Sequence, residues 1–267
     1  MIPPNRSLTL ALWQQPGLLG EPDAMVDRLS ALLDSGAVAG VDLLLLPEVW
    51  TTGYMDPAAI TEGGDQAGSP LLTRMAALAA KHGLALAFGF PEDAAPKRYN
   101  TAWIIDGTGQ TILAYRKVNL WGDYERELFA AGDQPSAIAE LHGWRIGFSI
   151  CYDTEYPETL RDLALRGADL VLAPAAVGRE FALVGEAIIR VRAAENGVWL
   201  AFANRSGEEL GYQFDGQSAI VGPDGVVRAR AEEDEALLIV TLDHAAIAAA
   251  RAETPYLHDM RWAAPKL

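Results

Sequence analysis

Polar and apolar residues alternate through 7–13, as in a half-buried strand, and the next stretch, 22–33, places Met25, Val26, Leu29, Leu32 and Leu33 at helical spacing. Residues 41–46 form a short, nearly unbroken apolar run closed by Pro47, the pattern of a strand covered on both faces. Glu48 follows immediately. The periodicity then predicts a helix over 70–82, stopped by Gly83, and a strand over 84–90. Residues 101–105 and 111–116, separated by Asp106-Gly107-Thr108-Gly109, read as a β-hairpin that runs into Lys117.

The second half repeats this order. A strand over 145–150 leads to a helix over 157–166 with Pro157 in its first turn and Gly167 past its end, then to a strand over 170–173. Residues 180–195 carry Phe181, Val184, Ile188 and Val191 on one helical face and stop at Asn196-Gly197, before a strand over 198–203. A second hairpin is predicted over 218–221 and 226–231 around Gly222-Pro223-Asp224-Gly225, then a strand over 237–242 and an Ala-rich helix from Asp243. No linker or compositional shift separates the halves, so the expected organisation is one α/β domain spanning 1–267.

Composition narrows the classes of function. Half of the 267 residues are hydrophobic and 21% are charged, which excludes intrinsic disorder. A net charge of −15 repels phosphate backbones, so nucleic acid is not an expected partner. No apolar run reaches the roughly 18 residues of a membrane helix, and the first residues lack the pattern of a secretory leader. Cys151 is the single cysteine, so no intramolecular disulfide can form, and the expected location is cytoplasmic.

Three reactive side chains, Glu48, Lys117 and Cys151, fall at or just after the C-terminal ends of expected strands, the edge where α/β folds bind ligands. Each alone has an ordinary structural explanation: a turn-capping carboxylate, a solvated lysine, a core cysteine. Together they supply a base, a fixed positive charge and a nucleophile, the parts an acyl transfer needs. Cys151 also lies ahead of an expected helix start, a place that favours thiolate. Of the four histidines, His82, His142, His244 and His258, none stands at a strand end, which weakens a Cys/His hydrolase. Metal-ligand spacing and a dinucleotide-type Gly-rich loop are both missing, so neither metal nor organic cofactor is expected.

Three blocks make the sequence resemble the nitrilase superfamily, the carbon–nitrogen hydrolases with a Glu-Lys-Cys triad. They are Leu43-Leu44-Leu45-Leu46-Pro47-Glu48, Tyr115-Arg116-Lys117-Val118-Asn119-Leu120, and Gly147-Phe148-Ser149-Ile150-Cys151-Tyr152-Asp153 with Tyr156-Pro157-Glu158. Arg192-Ala193-Ala194-Glu195-Asn196 and Ala203-Asn204-Arg205 extend the likeness over nearly the whole chain. The resemblance implies a four-layer αββα sandwich of two mixed sheets that assembles into a homodimer or higher homo-oligomer; the segment 254–267 is too irregular to fold alone and is expected to pack on a partner subunit. It also implies a further active-site carboxylate at Glu125, with Glu127 the other carboxylate of that loop.

The implied mechanism has Glu48 take the thiol proton as Cys151 attacks an amide carbon, while Lys117 and the backbone N–H of Tyr152 hold the oxyanion. Glu125 orients substrate or water. Tyr54 and Trp121 are expected to narrow the pocket, and Ala175-Ala176 to leave room at the scissile group. Where members that act on dicarboxylic monoamides tend to carry Arg, this chain has Glu155, which disfavours an anionic tail. The expected activity is therefore that of an amidase (EC 3.5.1 type) acting on a small neutral or cationic carboxamide. Nitrile hydrolysis, N-carbamoyl amine hydrolysis and a non-hydrolytic acyl-transfer or binding member are the alternatives.

Overall fold

The computed structural model describes residues 6–261. Its fourteen strands are β1 (Leu8–Gln14), β2 (Leu43–Leu45), β3 (Ala85–Ala94), β4 (Lys97–Ile105), β5 (Thr111–Arg116), β6 (Ala139–Leu141), β7 (Trp144–Phe148), β8 (Leu170–Pro174), β9 (Trp199–Ala203), β10 (Glu208–Glu209), β11 (Tyr212–Gln213), β12 (Ala219–Val221), β13 (Val227–Arg230) and β14 (Ala236–Leu242). The helices are α1 (Pro22–Asp34), α2 (Pro57–Glu62), α3 (Pro70–His82), α4 (Gly122–Leu128), α5 (Pro157–Leu165), α6 (Ile189–Asn196), α7 (His244–Glu253) and α8 (Tyr256–Asp259). One six-stranded sheet runs β14-β1-β2-β3-β4-β5 and the other β13-β12-β9-β8-β7-β6.

The repetition in the sequence is a repetition of sheets. In the first, β1, β2 and β3 are parallel and β4 and β5 return antiparallel. In the second, β7, β8 and β9 are parallel and β12 and β13 return antiparallel. Leu43 and Leu45 join the core between the sheets, whereas Leu44 and Leu46 join a second core with Met25, Val26 and Leu29 of α1 and Leu72 and Met75 of α3. Both faces of β2 are thus buried, and that is why its sequence is a run of leucines rather than an alternation. On the far side, Leu160 and Leu163 of α5 and Ile189 and Ala193 of α6 cover the second sheet. The layers are helix, sheet, sheet, helix, as expected.

Three segments depart from the periodicity. The strand expected over 84–90 continues through Pro91-Glu92-Asp93-Ala94 and pairs with β4 from Lys97 onward. Its outer half is polar, held by Glu92 accepting from Thr101 and Arg116, so no apolar pattern marks it. The helix expected over 180–195 begins as a 3₁₀ turn at Arg179–Phe181 and a wide turn at Val184–Ile188, and only Ile189–Asn196 is α-helical. The wide turn rotates the apolar face: Val184 is buried, but Phe181 and Val191 are 40% and 50% exposed. Helices α2 and α4, of 6 and 7 residues, are too short for periodicity to register.

Of the segment 254–267, α8 lies after α7 with Leu257 packed against the main core and Tyr256 exposed. Residues 262–267, including Trp262, and residues 1–5 lie outside the described residues. No helix among the described residues is long and apolar enough to cross a membrane.

Candidate active site

The C-terminal ends of the parallel strands in both sheets converge on one buried cluster. Glu48 sits in the turn after β2, Lys117 directly follows β5, Cys151 follows β7, and Glu125 comes from α4. Glu48, Lys117 and Glu125 are fully buried and Cys151 is 6% exposed. Lys117 Nζ donates to Glu48 Oε1 at 2.8 Å and to Glu125 Oε1 at 2.7 Å. Asn100 of β4 donates its Nδ2 to the same two oxygens, at 2.7 Å and 3.3 Å. Tyr54 donates its hydroxyl to Glu125 Oε1 at 2.9 Å, and the Trp121 N–H donates to Glu125 Oε2 at 2.6 Å. Glu125 is therefore saturated, while Glu48 keeps one buried oxygen, Oε2, without a hydrogen-bond partner among the described residues. Glu127, the neighbouring carboxylate, is exposed.

Backbone strain shapes both turns. Val49 has φ 46° and Cys151 has φ 47°, left-handed conformations that cost a side-chain-bearing residue about 1–3 kcal/mol each. The Glu48 turn is held against β3, where the Trp50 N–H donates to Gly89 O at 2.7 Å. Gly89 is a necessity of that approach, because a Cβ there would lie 2.6 Å from Val49 N and 2.9 Å from Glu48 Cα. The Cys151 turn is tied to the lysine segment by Asp153, which accepts from the Tyr115 hydroxyl and from both the backbone N–H and Nδ2 of Asn119, each at 2.8 Å. Arg192 of α6 donates to the Thr154 and Glu155 carbonyls at 3.1 Å and 2.6 Å and fixes the other end of the turn.

The electrostatics separate the roles. Burial pushes the Glu48 carboxyl up, Lys117 pulls it partly back and Glu125 adds repulsion, leaving it at about 7. Burial works against the Lys117 charge, but the carboxylates of Glu125 and Glu48 outweigh it and hold the ammonium well above its ordinary value. The Cys151 thiol is pushed up, by burial first and by Glu48 next, with Lys117 only partly opposing. The thiolate-favouring effect expected from its place ahead of a helix is thus overridden. Cys151 lies in a separate 3₁₀ turn, Cys151–Glu155, and α5 begins only at Pro157. At rest the cluster holds a thiol, a charged lysine and a carboxyl group poised to change protonation near neutral pH.

A small pocket opens onto Cys151, lined by Tyr54, Trp121, Glu155, Ala176, Val177, Phe181 and Tyr212. Trp121 and Phe181 meet edge to face at 5.7 Å and form one wall. Tyr54, Trp121 and Glu155 line the pocket together with Cys151. Ala176 rather than Ala175 faces the pocket. Ala175 is buried behind it, bonded to the backbones of Glu48 and Ala203. The Tyr152 ring turns to Tyr156, 5.1 Å away, and is not part of the lining. No histidine lines the pocket. No group of three or more His, Cys, Asp or Glu among the described residues is arranged to hold a metal ion.

Sequence reasoning missed Asn100, Phe181 and Tyr212. Asn100 falls just before the hairpin as the pattern drew it, and a polar residue inside the extended β4 was its one available signal. Tyr212 arrives on the two-residue strand β11, below the length at which alternation can be read.

The sequence model of the carbon–nitrogen hydrolase family matches residues 9–252. A protein described as "Hydrolase in pqqF 5'region" from Pseudomonas protegens is 38% identical over 258 residues, covering 96% of this chain and 90% of that protein. An (R)-stereoselective amidase from a Pseudomonas species is 33% identical, covering 91% and 89% of the two chains. Among solved structures, a glutamate-to-glutamine mutant of the amidase from Nesterenkonia sp. AN1, with acrylamide joined by Michael addition to its active-site cysteine, superposes with a TM-score of 0.84 at 32% identity. That match covers 95% of this chain and 96% of the other. The likeness extends across both sheets and every segment that carries the buried cluster, and the chain belongs to the carbon–nitrogen hydrolases of the nitrilase superfamily.

Proposed function

We propose that the protein is an amidase that hydrolyses a small neutral or cationic carboxamide to the acid and ammonia through a thioester on Cys151. The observation that carries this reading is the fully buried Lys117 ammonium bridging Glu48 and Glu125 beside the only cysteine. Glu48 Oε2 accepts the thiol proton as sulfur attacks the amide carbon, which suits a carboxyl that titrates at about 7 and a thiol that is not ionised at rest. The oxyanion develops beside Lys117, whose charge the two carboxylates maintain. Collapse breaks the C–N bond, and the proton on Glu48 passes to the departing ammonia. Glu48 then takes a proton from water as its oxygen attacks the thioester, and returns it to the Cys151 sulfur as the acid leaves. Glu125, with both oxygens occupied, fixes Lys117 and Tyr54 and leaves proton transfer to Glu48.

The pocket supports the substrate class. Its aromatic walls suit a short acyl chain, and the half-buried Glu155 carboxylate on the lining repels anions and attracts an ammonium or amide N–H. Relatives described as 2-oxoglutaramate amidases, from Bacillus subtilis and Paenarthrobacter nicotinovorans, are 31% and 30% identical. Their named substrate carries a carboxylate, which Glu155 disfavours here. Ammonia release from propionamide, 5-aminopentanamide, glutaramic acid, a short nitrile and an N-carbamoyl amine, with Cys151→Ala as control, tests the reading. Turnover of the first two that vanishes in the variant supports it. Preference for glutaramic acid overturns the charge argument, and preference for the nitrile or the carbamoyl compound overturns the reaction type.

A further inference from the structure

Behind the Glu48 turn lies a second buried ion pair that the chemistry above does not use. Arg205, just past β9, is fully buried, and its Nη1 donates to Glu209 Oε1 at 3.2 Å. Its Nη2 donates to the backbone carbonyls of Glu48 at 3.0 Å and of Val49 at 2.6 Å. Glu209, 3% exposed, uses Oε2 to accept from the backbone N–H groups of Tyr54 and Met55, at 2.7 Å and 2.8 Å. The pair therefore grips both ends of the segment that begins with the base and ends with the tyrosine bonded to Glu125 and facing the pocket. Its grip falls on Val49, the left-handed residue that an unsupported turn would relax. Gly17 packs against the pair so closely that a Cβ there would collide with both Arg205 Nη1 and Glu209 Oε1.

Burying two charges costs several kcal/mol of solvation, and a well-packed apolar pair of the same volume is often no less stable. What an apolar pair lacks is four directed hydrogen bonds to the backbone of 48–55. We infer that Arg205 and Glu209 are a positioning pair for the amide-hydrolysing site, holding the 48–55 segment in the strained conformation that aims Glu48 at Cys151 and Tyr54 at Glu125. This inference rests on Glu48 acting as the base. The titratable groups facing the Glu48 carboxylate are Lys117, Glu125, Cys151 and Tyr54. Arg205 reaches only its backbone, so the pair acts through geometry and water exclusion.

The test compares Arg205→Lys, Glu209→Gln and Gly17→Ala with wild type and Glu48→Gln. Arg205→Lys keeps the charge but cannot serve three acceptors in the same fork. Glu209→Gln keeps an acceptor for the Tyr54 and Met55 amides but turns a donor toward Arg205. Gly17→Ala displaces both partners and removes neither. Three quantities are read for each: kcat and KM on the best amide of the panel per titratable Cys151, the pH dependence of Cys151 alkylation by iodoacetamide, and thermal unfolding. A displacement of the base by about 1 Å costs roughly 100-fold, so the expected result is a 10- to 100-fold fall in kcat, with KM within about threefold of wild type. As water enters the loosened turn, the alkylation limb assigned to Glu48 moves to lower pH by about one unit. Variants that unfold at lower temperature but keep the wild-type kcat per titrated site and the wild-type limb overturn the inference, because a purely structural pair gives that result. A wild-type limb that survives in Glu48→Gln overturns the base assignment itself, and this inference with it.

Discussion

Removing the charge of Glu125 should move the acid limb of the pH–rate profile, and the distances set the size of the effect. Glu48 Oε1 and Glu125 Oε1 both touch Lys117 Nζ, at 2.8 Å and 2.7 Å, so the two oxygens stand no more than about 5.5 Å apart. Two like charges at that separation repel by about 3 kcal/mol at an effective dielectric of about 20, equivalent to roughly two pKa units. In the free enzyme the Glu48 carboxyl is held at about 7 by burial, and as the proposed base it must be ionised to act. Wild-type kcat/KM should therefore fall as pH drops through about 7, to about a tenth one unit below and about a hundredth two units below. In Glu125→Gln the repulsion is gone, and the limb should move down toward about pH 5, even though kcat itself drops. Lys117, held well above its ordinary value, should add no basic limb below about pH 10. The assay is initial-rate ammonia release at low substrate from about pH 5 to about pH 9, each point checked for reversible loss of activity. An acid limb that stays near 7 in Glu125→Gln would refute the claim that repulsion between the two carboxylates tunes the base.

Other consequences can be checked separately. Glu155→Gln should raise KM for 5-aminopentanamide by about 10-fold while leaving propionamide nearly unchanged, and Glu155→Arg should admit glutaramic acid; steady-state kinetics on the three amides reads both. Asp153→Ala strands the Tyr115 hydroxyl and two donors of Asn119 in a buried site, a loss of about 3–5 kcal/mol measurable by urea unfolding, with a fall in kcat because the lysine and cysteine turns are no longer tied. Gly89→Ala drives a Cβ into the backbone of Val49 and Glu48, which cannot yield as a side chain can, so a destabilisation of about 3 kcal/mol and a fall in kcat are expected from unfolding and rate measurements.

The positions of Glu48, Lys117 and Cys151 were legible because each follows an element whose pattern is strong. A leucine run buried on both faces, a hairpin strand and an alternating strand each end within three residues of the reactive side chain. The helices α1, α3 and α5 were legible for the same reason, since they carry clean apolar faces and Pro or Gly at their ends, whereas the four-layer order came with the family resemblance. The pocket walls were not. Phe181 depends on a wide turn that no 3.6-residue period anticipates, and Tyr212 on a two-residue strand. The helix-terminus argument for a thiolate at Cys151 left out burial first and then the carboxylates of Glu48 and Glu125 that folding brings to the thiol. Arg205 and Glu209 are four residues apart on no helix, and their target, the 48–55 segment, is far away in sequence.

The central claim is that Cys151 carries the acyl group of an amide after ammonia has left. Intact-protein mass spectrometry of enzyme acid-quenched during turnover of propionamide tests it most directly, with peptide mapping of any adduct and Cys151→Ala alongside. The account predicts a propionyl thioester on Cys151, formed with one equivalent of ammonia, cleared on further incubation and missing from the variant. Steady ammonia release by Cys151→Ala, or wild-type turnover with the acyl group on a different residue, would contradict it.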